Sequence, residues 1–130
     1  MRKKFRLKSL ALSIVLIVAL LIVTGCGSRV SIEIIDKQNI LDTEVVTAYI
    51  AGFKNDDATW KKLQSFAESY DKNVDSVSII FFDDKSKAPD LRSLEGRLEA
   101  ISVDENSDGV VAIYIRYGTG QGNFVKNPKY

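Results

Sequence analysis

Val77-Ser78-Ile79-Ile80-Phe81-Phe82 places large apolar side chains at four consecutive positions, Ile79 to Phe82. A strand turns successive side chains to opposite faces, so this run is apolar on both. Such a strand belongs in the middle of a sheet or under a helix. A charged loop, Asp83 to Lys87, ends it.

On its N-terminal side the period changes. Trp60, Leu63, Phe66, Ala67 and Tyr70 recur at three- and four-residue steps, with Lys61, Lys62, Gln64 and Glu68 between them on the wet side. This is the pattern of an amphipathic helix, with Asp57 as N-cap and Asp71-Lys72-Asn73 as its end. Trp60 shares the phase of Leu63 and Phe66, which assigns it to the core. Before the helix, Glu44 to Phe53 is rich in β-branched and aromatic residues and reads as a strand. Val30, Ile32 and Ile34 alternate with polar residues and read as another. The two form a hairpin whose turn falls at Asp36 to Asn39 or at Leu41 to Thr43. A strand, helix, strand order implies a right-handed crossover if the two strands run parallel.

Towards the C-terminus, Pro89 suits a first helical position, and Leu91, Leu94, Leu98 and Ile101 mark the apolar face of a second helix over 89–101. Gly96 inside it weakens the helix by about 1 kcal/mol relative to Ala. Asp104 to Gly109 is a turn and Val110 to Tyr117 a final strand. The expected fold is a small α+β two-layer sandwich, with about four mainly antiparallel strands and one or two helices on one face. It spans residues 30–117, and residues 118–130 form a glycine-rich tail.

The first 25 residues have another character. Arg2, Lys3, Lys4, Arg6 and Lys8 precede an apolar run from Leu10 to Val23, broken only by Ser13. That run is shorter than the roughly 20 residues a spanning helix needs, and it fits a secretory signal peptide. Val23-Thr24-Gly25-Cys26 at its end resembles the lipobox of bacterial lipoproteins. The resemblance implies a diacylglyceryl group on the Cys26 thiol and cleavage of residues 1–25. Residues 26–29 would then be a short lipidated tether, reaching roughly 10 Å at about 3.4 Å per residue. The domain is expected at the membrane surface of the cell envelope, outside the cytoplasm.

Five of the 18 basic residues and none of the 17 acidic ones lie in residues 1–25, so residues 26–130 carry a net charge of −4. That sign opposes nucleic-acid binding, which needs a basic patch. The chain has no histidine and one cysteine. Ser-His-Asp and Cys-His catalysis, histidine-ligated zinc and an internal disulfide are therefore excluded.

The remaining candidates are few. Asp83, Asp84 and Asp90 supply the carboxylates that glycoside hydrolysis requires, although adjacent strand residues point to opposite faces. Tyr114, Arg116 and Tyr117 would make a partner-binding patch if their strand lies at a sheet edge. Gly118, Gly120 and Gly122 follow a strand as phosphate loops do, but too little chain remains for the helix such a loop requires. Asp104, Asn106 and Asp108, with Gly109, match the start of an EF-hand calcium loop. Its twelfth position, where a bidentate Glu is required, is Ile115, so at most a weak Ca²⁺ site is expected. Otherwise no cofactor is expected. The composition points to a non-enzymatic binding domain for a protein or cell-wall component, inhibitor- or immunity-like by analogy. A carboxylate-based envelope hydrolase using Asp83, Asp84 and Asp90 is the alternative.

Overall fold

The computed structural model describes residues 30–118 and 120–130. The signal segment 1–25, the lipobox with Cys26 and the tether 27–29 lie outside the described residues. Ser31–Tyr130 form one unit built on a mixed five-stranded sheet. Among the described residues, no helix is long and apolar enough to cross a membrane.

The strands β1 (Ser31–Ile40), β2 (Thr43–Ala51), β3 (Ser76–Phe82), β4 (Val110–Tyr117) and β5 (Asn123–Lys126) lie side by side in chain order. The apolar run Val77 to Phe82 is β3, at the centre. Its Val77, Ile79, Ile80, Phe81 and Phe82 are all at most 2% exposed. β2 and β3 are parallel, joined through helix α1 (Asp57–Glu68), while the other three pairings are antiparallel.

The β1–β2 turn is Leu41-Asp42, with φ of 52° and 63°. A two-residue hairpin of this hand requires positive φ at both positions, which normally selects Asn or Gly. Leu41 instead holds a left-handed backbone that costs an L-residue roughly 1–2 kcal/mol. The first strand extends past the alternating residues to Ile40 because it pairs with the whole length of β2, across a bulge between Ile34 and Asp36.

Helix α1 begins one residue earlier than its sequence suggests. Asp56 is the N-cap, accepting from the Thr59 amide at 2.8 Å. Its Trp60, Leu63 and Ala67 are buried, and the Phe66 ring meets Phe81 at 6.0 Å. Helix α2 spans Leu94–Ser102, with Ser93 as N-cap. Its Ala100 packs with Ile80 and Phe82. Phe81 and Phe82 face opposite ways, so α1 and α2 cover opposite faces of the sheet. The expectation of helices on one face is corrected here: a central strand apolar on both sides needs cover on both.

The second helix also inverts the expected face. Leu94, Leu98 and Ile101 are 69%, 59% and 51% exposed, while Gly96 and Ala100 point inward. A Cβ at Gly96 would overlap the Asp90 carbonyl. The glycine is what lets the first turn of the helix close against the Asp90 segment that precedes it, so this small-residue side packs inward. Of the expected apolar stripe only Leu91, ahead of the helix, is buried.

The C-terminal segment is likewise corrected. The glycine-rich composition of residues 118–130 implies a tail, yet β5 pairs with β4 from Asn123 to Lys126. Phe124 lies 6.2 Å from Phe81 and 6.3 Å from Trp60 by ring centres. Asn127 donates to the Val110 carbonyl at 2.7 Å, and the Tyr130 hydroxyl to Asp83 Oδ2 at 2.6 Å. The last residues therefore complete the sheet.

Candidate functional site

Because β5 takes the edge, β4 is an interior strand, and the expected patch on it is divided. Tyr114 and Arg116 point to the α1 side and are each 1% exposed, whereas Tyr117 pairs with Ser76 on the other face and is 75% exposed. The Arg116 guanidinium donates from Nη1 to the Tyr70 carbonyl at 3.2 Å. From Nη2 it donates to the carbonyls of Asp71 at 2.8 Å and Val74 at 2.9 Å. It ties the turn after α1 to the sheet, and neither it nor Tyr114 is open to a partner. Trp60, by contrast, lies in the core as its phase implies, 6% exposed, with its indole N–H donating to Asn55 at 2.8 Å. The Lys126 ammonium lies 4.5 Å from the centre of its ring.

The three hydrolase carboxylates are each bound into separate local structure. Asp83 accepts from Tyr130. Asp84 caps a short 3₁₀ turn, accepting from the Ser86 amide and hydroxyl at 3.0 and 2.7 Å, and these bonds lower its pKa. Asp90 pairs with Arg92 at 3.0 Å, which likewise lowers it. A general acid in glycoside hydrolysis needs a carboxyl raised towards neutrality, so two of the three are tuned the opposite way.

The 104–109 turn also has internal partners. Asp104 Oδ1 accepts from the Asn106 amide at 2.9 Å, and the Ser107 hydroxyl accepts from the Asp104 amide at 3.0 Å. Asp108 pairs with Lys87 at 2.9 Å; this bond lowers the carboxyl and raises the amine. Gly109, at φ 77°, closes the turn. Among the described residues no group of three or more His, Cys, Asp or Glu side chains is placed to hold a metal ion. Beyond β4, Gly118, Gly120 and Gly122 lead into β5, and among the described residues no helix follows them.

The feature that sequence reasoning missed lies on the α2 face. Nine helical residues cover roughly 14 Å at 1.5 Å per residue, whereas the nine residues of β2 extend roughly 30 Å. The helix therefore shields only part of its face. Beyond its C-terminal end an open groove of about 350 Å³ remains, walled by Ile40, Leu41, Ile101 and Ile115, with Asp104 and Glu105 on its lip. The volume falls within the roughly 300–1,000 Å³ of ligand sites. Leu41, at the tip of its left-handed turn, is 84% exposed. Ile101, the last residue of the exposed stripe Leu94, Leu98 and Ile101, also walls the opening. The sequence signal was present in that stripe, but helical periodicity marks an apolar face without saying whether this chain covers it. Comparison with protein-family models, with curated proteins and with solved structures found no match.

Proposed function

We propose that this chain is a lipid-anchored protein of the cell envelope whose small α+β domain binds a protein or cell-wall component without catalysing a reaction. One observation carries the binding part: the described residues leave uncovered an apolar groove and an apolar helix face that share Ile101, at positions where burial would otherwise stabilise the fold. The local engagement of Asp83, Asp84 and Asp90 supports binding over hydrolysis. The lipid part rests on the Val23-Thr24-Gly25-Cys26 motif and, if cleavage precedes Cys26, on the short tether of residues 26–29.

Two measurements test it. Metabolic labelling with a tagged fatty acid should mark the wild-type chain and not Cys26→Ala; label persisting in the variant would remove the anchor. A photo-crosslinking residue at Ile101 should give a discrete adduct in intact cells, while the same residue at Lys61, on the exposed side of α1, should give none. Adducts at both positions or at neither would count against a specific binding face.

A further inference from the structure

The groove carries charge of one sign. Asp104 and Glu105 are the charged residues of its lining. Asp42 follows Leu41 at the hairpin tip. Ion pairs among the described residues are Lys85–Glu33, Lys87–Asp108 and Arg92–Asp90, so neither Asp104 nor Glu105 has a cationic partner there, although Asp104 Oδ1 accepts hydrogen bonds within its own turn. Arg97 is the one basic residue of α2, and its Nε is buried without a partner. Unpaired acids around an apolar floor repel an anionic surface and attract a cationic one.

We infer that this groove docks a cationic amphipathic peptide segment. Apolar side chains at three- and four-residue spacing would seat against Ile101, Leu41 and Ile115, with Lys or Arg turned towards Asp104 and Glu105. This is the helix-in-groove mode of recognition, read from anchors at helical spacing. Leu41 adds a second sign. A bulky apolar residue is held out to solvent by a turn that disfavours it, and strain of that kind collects at ligand-binding positions. The inference rests on the reading of the domain as a binding module and names the chemistry of its partner. The bilayer is the weaker occupant, because the negative potential of anionic lipids repels an acidic lip.

The test uses the full chain in phosphatidylcholine nanodiscs and a fluorescent peptide of roughly 14 residues, about four helical turns of Leu and Lys at amphipathic spacing. Its counterpart has Glu in place of Lys. Anisotropy should show micromolar binding of the Lys peptide and at least about tenfold weaker binding of the Glu peptide. Raising NaCl from about 50 to about 500 mM shortens the screening length about threefold and should weaken the complex. Ile101→Asp and Glu105→Lys should each weaken it about tenfold or more. Circular dichroism confirms that these variants remain folded. Equal binding of both peptides, or binding of the Lys peptide unchanged by Ile101→Asp, overturns the inference. So does an absent Lys-peptide complex together with a blue shift, in peptide-free nanodiscs, of an environment-sensitive dye on Leu98→Cys, which would place this face against the bilayer. A missing peptide complex alongside a discrete crosslink at Ile101 overturns the partner chemistry alone; a missing crosslink overturns the binding module.

Discussion

The Arg116 guanidinium donates to the main-chain carbonyl of Asp71 at 2.8 Å, linking β4 to the turn that closes α1 across 45 residues of chain. With Tyr70 and Val74 it has three carbonyl acceptors, and its own residue is 1% exposed. The charge is met by main-chain carbonyls of the loop that follows α1.

Arg116→Ala removes all three bonds and opens a void, and should cost about 2–4 kcal/mol. Arg116→Lys keeps the charge, but one ammonium cannot span three carbonyls as a planar guanidinium does, so an intermediate loss is expected. Urea unfolding measures both. Two variants within about 0.5 kcal/mol of wild type, the ordinary scatter of surface changes, would show that the residue is not holding the turn.

Phe81 is 0% exposed and meets both Phe66 and Phe124. Phe81→Ala should cost about 3–5 kcal/mol. Phe66 is only partly buried, so Phe66→Ala should cost clearly less. Thermal melting that ranks them the other way would misplace the centre of the core.

Leu41→Asn should raise stability by about 0.5–1 kcal/mol, because Asn tolerates the left-handed backbone that Leu41 resists. The same change should weaken the peptide complex by removing an anchor, a trade of stability against function. A destabilised Leu41→Asn would show that the side chain is packed rather than presented.

Alkaline unfolding should follow two tyrosines. The Tyr70 hydroxyl donates to Glu44 at 2.6 Å and that of Tyr130 to Asp83 at 2.6 Å. Burial first, then these carboxylates, push both phenols up, Tyr130 to about 12. A group raised on folding contributes stability that is complete below its unfolded pKa, about 10 for tyrosine. The contribution is lost as pH rises towards the folded value. Stability should therefore fall between about pH 10 and 12, and Tyr130→Phe with Tyr70→Phe should flatten that fall. An unchanged slope in the double variant would assign the alkaline limb to other groups.

Calcium would have to displace Lys87 from Asp108 and Asp104 from its own turn. Millimolar Ca²⁺, the range of weak extracellular sites at about 10⁻⁴ to 10⁻³ M, should leave the melting temperature unchanged. A rise abolished by Asp104→Ala would instead identify a weak site.

Local pattern determined much of this protein. Consecutive large apolar residues from Ile79 to Phe82 required a central strand, and three- and four-residue spacing from Trp60 to Tyr70 required a helix with its core face assigned. The absence of histidine removed whole classes of chemistry before any coordinate was known. Tertiary structure decided what periodicity cannot encode, namely which neighbour covers each face. Asn123 to Lys126 becomes a strand only because β4 offers its hydrogen-bonding edge, and that pairing makes the β4 residues from Ala112 to Ile115 interior to the sheet, while the turn after α1 buries Arg116. The α2 stripe faces water because the small-residue side packs inward, with Gly96 against the Asp90 carbonyl and Ala100 against Ile80 and Phe82. Leu94, Leu98 and Ile101 thus become an exposed surface, with the groove beside them left open where a nine-residue helix ends before the sheet does.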